Sequence, residues 1–293
     1  MKLVFIHGRA QEGRGREEIR QEWISALVAG LDKSSLRLPI DPSQIALPYY
    51  GDSLFDLTRN LSKIEAAAIA KGGLGSDRIL AFEAEALEDI RVTAGISDSE
   101  VQGLVEGDVT SKGPENWPWV LAIVRAIDKF RPGISSGAIR LILRDVYVYS
   151  TRRGIADAID EIIKNDILLA PTVVVAHSLG TVVAYNILRN DSRPLQVHKL
   201  VTIGSPLGIR AVRRTLVPLK SPKSHAWFNA FDPRDIVALN PLDGANFPVS
   251  PAIHNKANVD NFTSNRHGVA GYLSDAVVAR EIYDALSGVS RNC

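Results

Sequence analysis

Cysteine is nearly missing from this chain of 293 residues: the one present, Cys293, is the final residue. No internal disulfide can form, which fits a reducing compartment. Neither sign of charge is in excess, since 34 Lys and Arg against 33 Asp and Glu leave a formal +1. With no dense Lys/Arg stripe either, no nucleic-acid partner is expected. No apolar run is long enough for a transmembrane segment, and the one in Met1-Lys2-Leu3-Val4-Phe5-Ile6-His7-Gly8 is too short for a signal peptide, so a cytoplasmic protein is expected. His-Glu-x-x-His, Cys/His clusters and a dinucleotide glycine fingerprint are all lacking. The glycines of Lys71-Gly72-Gly73-Leu74-Gly75 follow no strand and precede no Gly-Lys-Ser/Thr, so they read as a turn and not as a phosphate loop. No metal or organic cofactor is expected.

What is present has the balance of an ordinary globular chain, 45% apolar and 23% charged. Its organising stretch is Pro171–Leu188, PTVVVAHSLGTVVAYNIL. Thr172–Ala176 is a short run of β-branched and small apolar residues, the pattern of a parallel strand buried on both faces. From Thr181 onward, Val182, Val183, Tyr185, Ile187 and Leu188 fall at helical spacing. His177-Ser178-Leu179-Gly180 must therefore turn from strand to helix in almost no space. Ala176-x-Ser178-x-Gly180 matches the nucleophile elbow, with small residues two before and two after a strained, exposed serine. The same serine could also be an ordinary helix cap. A strand before it and a helix after it favour the nucleophile.

Around this stretch the chain alternates strand and helix. Lys2–Ile6 reads as a buried strand, Glu17–Leu31 as a helix with Ile19, Trp23, Ala26, Leu27 and Gly30 on one face, and Ile45–Tyr50 as a second strand. Residues 52–136 break the alternation: Leu54, Leu57, Leu61, Ile64 and Ala68, then Ile79, Phe82, Ala86, Leu87 and Ile90, then Val120, Ile123, Ile127 and Phe130 all recur at spacings of three and four. Such an all-helical insertion reads as a cap or lid over a core formed by residues 1–51 and 137–293. A second helical layer unconnected with the site would show the same pattern. Alternation is expected to resume near Ile139, with a helix at Gly154–Lys164, strands at His198–Ile203, Ala226–Phe231 and Lys256–Asp260, and a last helix at Gly271–Leu286.

A serine nucleophile needs a base in hydrogen-bond reach and an acid to orient that base. In this architecture they follow in the order Ser, Asp/Glu, His, each on a loop after a strand. Of six histidines, only His267 lies after the last expected strand and before a terminal helix. Asp232 and Asp235 share the loop after Ala226–Phe231. Asp235, ahead of Ile236-Val237, is the expected acid, and Asp232, ahead of Pro233, is the alternative. Ser205 is disfavoured as a rival nucleophile because Pro206 removes the N–H that should follow. The oxyanion hole would take one N–H from Leu179 and one from Arg9, after His7-Gly8.

Phe5-Ile6-His7-Gly8, Ala176-His177-Ser178-Leu179-Gly180, Ile203-Gly204-Ser205-Pro206-Leu207, Asp235-Ile236-Val237, and His267 ahead of Gly271-Tyr272-Leu273 together resemble the α/β-hydrolase superfamily, specifically its lipase- and esterase-like members. The likeness covers residues 1–50 and 140–293. It departs in beginning at what would be the family's third strand and in having Ala176 where glycine is commoner. It implies an α/β-hydrolase fold, a mostly parallel, doubly wound sheet with a helical lid. It also implies cleavage of a small-molecule carboxylic ester, one with an apolar chain, through an acyl-enzyme. Two other functions fit the same residues: thioester or amide hydrolysis, and a non-catalytic binding module with an idle triad. The oligomeric state leaves no mark in the sequence.

Overall fold

The computed structural model describes residues 1–59, 75–106, 113, 115–131, 133–167 and 170–288. Leu61, Ile64, Ala68, the glycine turn at residues 71–74 and part of the Gly103–Pro118 stretch lie outside the described residues. The protein is α/β. Among the described residues six strands, β1 (Lys2–Ile6), β2 (Ile45–Ala46), β3 (Thr172–His177), β4 (Val197–Ile203), β5 (Ala226–Ala230) and β6 (His254–Lys256), form one sheet in the order β2-β1-β3-β4-β5-β6. Every pairing is parallel.

Alternating side chains divide the core. Leu3, Phe5, Val173, Val175, Val201 and Ile203 pack under helices α1 (Arg16–Asp32), α9 (Val269–Leu273) and α10 (Ala276–Leu286). Val4, Ile6, Val174, Ala176 and Leu200 face the opposite way. They share one apolar cluster with α2 (Gly75–Thr93), α3 (Asp98–Gln102), α4 (Trp117–Phe130), α5 (Ser136–Thr151), α6 (Arg153–Lys164), α7 (Leu179–Asn190) and α8 (Arg210–Thr215). Both faces are covered, which is why the strands read as unbroken apolar runs. Among the described residues no helix is long and apolar enough to cross a membrane.

Register brings the strand ends level. Ile6 pairs with Ala176, His177 with Ile203, Ile203 with Ala230 and Ala230 with Lys256. The loops leaving the carboxyl ends therefore gather along one edge. β1 has its successor β2 on one side and β3 on the other, so the winding of the sheet reverses between β1 and β3. In open parallel sheets, that crevice is where ligands bind.

Four elements differ from the sequence patterns. The strand expected at Ile45–Tyr50 ends at Ala46, opposite Val4 and two residues short of the end of β1; beyond it Pro48 has no N–H to offer a ladder. The last strand is His254–Lys256, not Lys256–Asp260; pairing stops where β5 stops, and the apolar Val259 is buried from a loop. Near Ile139, strand and helix do not yet alternate. Ile139, Ile142, Leu143 and Val146 recur at helical spacing and are the buried stripe of α5, which leads straight into α6. The terminal helix is also broken, since Asp275 caps a fresh start by accepting from the N–H groups of Val277 and Val278.

Candidate active site

Ser178 sits between β3 and α7 with φ +55° and ψ −130°, a conformation a residue with a Cβ adopts only at some cost. Its neighbours hold it there. The Ser178 N–H donates to the Ile203 carbonyl (3.2 Å), and its own carbonyl accepts from the Thr181 N–H (2.9 Å) and hydroxyl (2.7 Å). Gly180 lets the start of α7 seat against the end of β1: a Cβ there would lie 2.4 Å from the carbonyl oxygens of Ile6 and His7.

The loops after β5 and β6 bring two more residues to this hydroxyl. His267 Nε2 is 2.9 Å from Ser178 Oγ, and its Nδ1 is 2.7 Å from Asp235 Oδ2. All three are buried, at 1%, 6% and 0% exposure for Ser178, His267 and Asp235, so their mutual attraction is little screened. Nδ1–H pointing at a carboxylate leaves Nε2 free to accept the serine proton, the tautomer a general base requires.

Asp232 is equally buried but turned to a different task. Its carboxylate accepts from the backbone N–H groups of Arg234 (2.7 Å) and Asn261 (2.8 Å) and from the Arg234 guanidinium. It ties the acid loop to the segment carrying His267. Ser205 caps a short 3-10 turn through Leu207 N–H and shares its hydroxyl with Thr181 at 2.8 Å.

Sequence reasoning missed two supports. Tyr272 donates its phenol to Asp235 Oδ2 at 2.5 Å, and burial beside that carboxylate pushes the phenol well above its usual range, so it stays a donor. His177 Nε2–H holds the His267 carbonyl at 2.7 Å. Burial, then the neighbouring His267, press His177 well below the ordinary histidine range and keep it neutral. Each lies within a quoted motif, Ala176–Gly180 and Gly271–Leu273, but nothing in those motifs named its partner.

Leu179 follows Ser178 in the chain, and Arg9 lines the same cleft as Ser178. Leu179 opens α7, where an N–H has no acceptor within the helix and the helix dipole favours negative charge. Arg9 follows Gly8, at which a Cβ would come within 3.3 Å of Ser178 Oγ. Ser178, His267, Gly8 and Arg9 line a cleft of about 270 Å³ together with polar Arg14 and Glu22 and apolar Ile134, Ala138 and Ile142. A larger cavity of about 550 Å³, lined by Arg131, Arg234, Ile236 and Arg266 among others, touches none of Ser178, Asp235 and His267. Among the described residues, no group of three or more His, Cys, Asp and Glu is arranged to hold a metal ion. No protein-family model matches the chain, and no curated protein sequence does.

Proposed function

We propose that the chain is a serine hydrolase of carboxylic esters, an α/β-hydrolase of the lipase- and esterase-like kind. One observation carries the reading: the chain of contacts from Ser178 Oγ through His267 to Asp235, 2.9 and 2.7 Å long, ending on a strained serine between a strand and a helix. Its position at the point where the winding of the sheet reverses supports the same conclusion.

In this mechanism Ser178 Oγ attacks the ester carbonyl as His267 Nε2 takes its proton. Asp235 stabilises the imidazolium. The carbonyl oxygen, now an oxyanion, accepts from the Leu179 and Arg9 N–H groups, donors that need no reorganisation as charge develops. The tetrahedral intermediate collapses, the C–O bond to the alcohol breaks, and His267 returns the proton to the leaving alkoxide. Water deprotonated by His267 then attacks the acyl-enzyme, releasing the acid and restoring Ser178.

Residues 52–136 are read as the cap; the apolar surface for the acyl chain is Ile134, at its end, with Ala138 and Ile142 of α5, which follows it. A cleft of about 270 Å³ corresponds to roughly nine water volumes, at about 30 Å³ each, enough for an ester group and a chain of a few carbons. The test is labelling by a fluorophosphonate probe, with peptide mapping, alongside hydrolysis of p-nitrophenyl butyrate. Ser178 is expected to carry the label, and Ser178→Ala to lose both label and turnover, by about 10⁶-fold for the latter. A wild-type chain that is neither labelled nor active overturns the proposal.

A further inference from the structure

The Gly8–Arg9 peptide is held from two directions by residues that the mechanism above does not use. His7 is buried, its ring stacked on Tyr50 with centroids 4.0 Å apart. Its Nδ1 lies 2.7 Å from the Gly8 carbonyl oxygen, and its Nε2 lies 3.1 Å from the Tyr50 N–H. A carbonyl can only accept and an N–H can only donate, so the ring must carry its proton on Nδ1 and none on Nε2. A second proton would face the Tyr50 N–H, donor to donor. Burial presses the same way, lowering His7 to about 4. The Tyr50 hydroxyl in turn donates to the His7 carbonyl.

The other hold is on the Arg9 side chain. Its Nε–H donates to Asp145 Oδ2 at 2.7 Å, and that carboxylate is only 6% exposed. Asp145 belongs to α5, the helix that also contributes Ala138 and Ile142 to the cleft. In a trans peptide the C=O and N–H point in opposite directions. With the Gly8 carbonyl fixed on the His7 ring, the Arg9 N–H must point away from that ring.

We infer that His7 and Asp145 are positioning residues that lock the Gly8–Arg9 peptide with its N–H turned to the cleft, so the oxyanion hole stands formed before substrate arrives. The inference rests on the hydrolase reading of Ser178. It adds that the cap-side helix α5 sets the rate as well as the fit, because one of the two holds comes from it.

The test compares the full-length wild type with His7→Leu, His7→Asn and the paired variant Arg9→Met/Asp145→Leu. Steady-state hydrolysis of p-nitrophenyl butyrate, inhibition by a trifluoromethyl ketone of matching chain length, and thermal melting are measured for each. Full loss of one oxyanion donor costs roughly 10²–10³ in kcat. A donor left mobile is expected to cost roughly 10- to 100-fold in kcat with KM little changed, and to weaken the ketone, whose adduct carries the oxyanion, by a similar factor. His7→Asn, which keeps a donor near the Nδ1 position, should restore part of the loss seen in His7→Leu. Should His7→Leu fail to fold, the Arg9/Asp145 pair decides, since exchanging a buried ion pair for apolar groups of similar size is commonly tolerated. Folded variants with wild-type kcat and ketone affinity overturn the lock while leaving the hydrolase intact. A wild type with no label and no turnover overturns the hydrolase reading, and the lock with it.

Discussion

The backbone at Ser178 makes a stability prediction that needs no substrate. At φ +55° and ψ −130°, a residue with a Cβ is strained, and such positions cost about 1–3 kcal/mol. Ser178→Ala and Ser178→Gly both remove the hydroxyl and its contact with His267, but only the glycine removes the Cβ. The comparison between them isolates the strain. At an unstrained site, glycine would be the less stable of the two by about 0.5–1 kcal/mol, because it loses more freedom on folding. Here the strain outweighs that loss, and the glycine variant should be more stable than the alanine variant by roughly 1 kcal/mol. With unfolding entropy of about 2.1 cal/mol/K per residue over 293 residues, that corresponds to a difference of about 2 °C in melting temperature. Urea titration of the two variants side by side measures it directly. A glycine variant less stable than the alanine variant by the ordinary 0.5–1 kcal/mol would refute the reasoning.

Asp235→Asn should lower turnover by about 10⁴-fold, by holding the wrong tautomer of His267; Asp232→Asn should cost mainly stability, about 1–3 kcal/mol, because it weakens the bonds to Arg234 and Asn261. Kinetics and urea melts on both variants check this, and the opposite ranking would move the acid to Asp232. Acid should destabilise the fold through His7: the unfolded chain takes up a proton near pH 6.5 that the native ring refuses until about 4, so stability is full above pH 6.5 and falls by about 3 kcal/mol on the way down to pH 4. His177, also lowered, adds in the same direction, and a urea midpoint that stays flat between pH 7 and 4.5 would refute the assignment. Catalytic efficiency on p-nitrophenyl esters should rise from acetate by up to about fourfold per methylene, the equivalent of about 0.8 kcal/mol, and fall once the chain outgrows the cleft. Ile142→Ala should move the maximum to longer chains; a profile that peaks at acetate would remove the acyl chain from this cleft.

Much of the arrangement around Ser178 was legible because its determinants are local. Val173–Ala176 is apolar at every position only because both sheet faces are covered, and the small residues Ala176 and Gly180 mark how closely strand and helix approach. His267 follows the last strand and precedes a terminal helix, and the acid candidates follow β5, so chain order narrows the choice to His267 and to Asp232 or Asp235, which share one loop and which order alone does not separate. What the sequence hides is partnership across distance. Arg9 meets Asp145 from 136 residues away, and Asp235 meets Tyr272 from 37. Nothing in the spacing of either pair reports the contact. The edge strands were misplaced for a different reason. β2 and β6 have two and three residues, too few for an apolar pattern to mark: β6 stops where β5 stops, and β2 stops two residues before Pro48, which cannot donate to a ladder. The helices described at 75–93 and 117–130 were readable from their spacing, yet α5, with the same spacing, lay beyond the expected boundary at residue 136 and is the helix that reaches the cleft.

The pairing of β1 with β3 has a consequence for synthesis on the ribosome. Lys2 lies beside Thr172, so β1 leaves the exit tunnel about 170 residues before its main partner exists. At about 5–20 residues per second, that leaves Leu-Val-Phe-Ile without its neighbour for roughly 10–30 s, with only the two-residue edge β2 arriving sooner. Helices α2 to α6 are made during this interval, and several of their apolar stripes are meant for the sheet face that β1 and β3 build together. Nascent chains halted before residue 172 should therefore expose apolar surface and bind holdase chaperones, and chains halted beyond β4 should release them. Long-range parallel pairing of the kind that brings Gly8 to Ser178 is the class of step that folds slowly and leaves apolar edges exposed meanwhile.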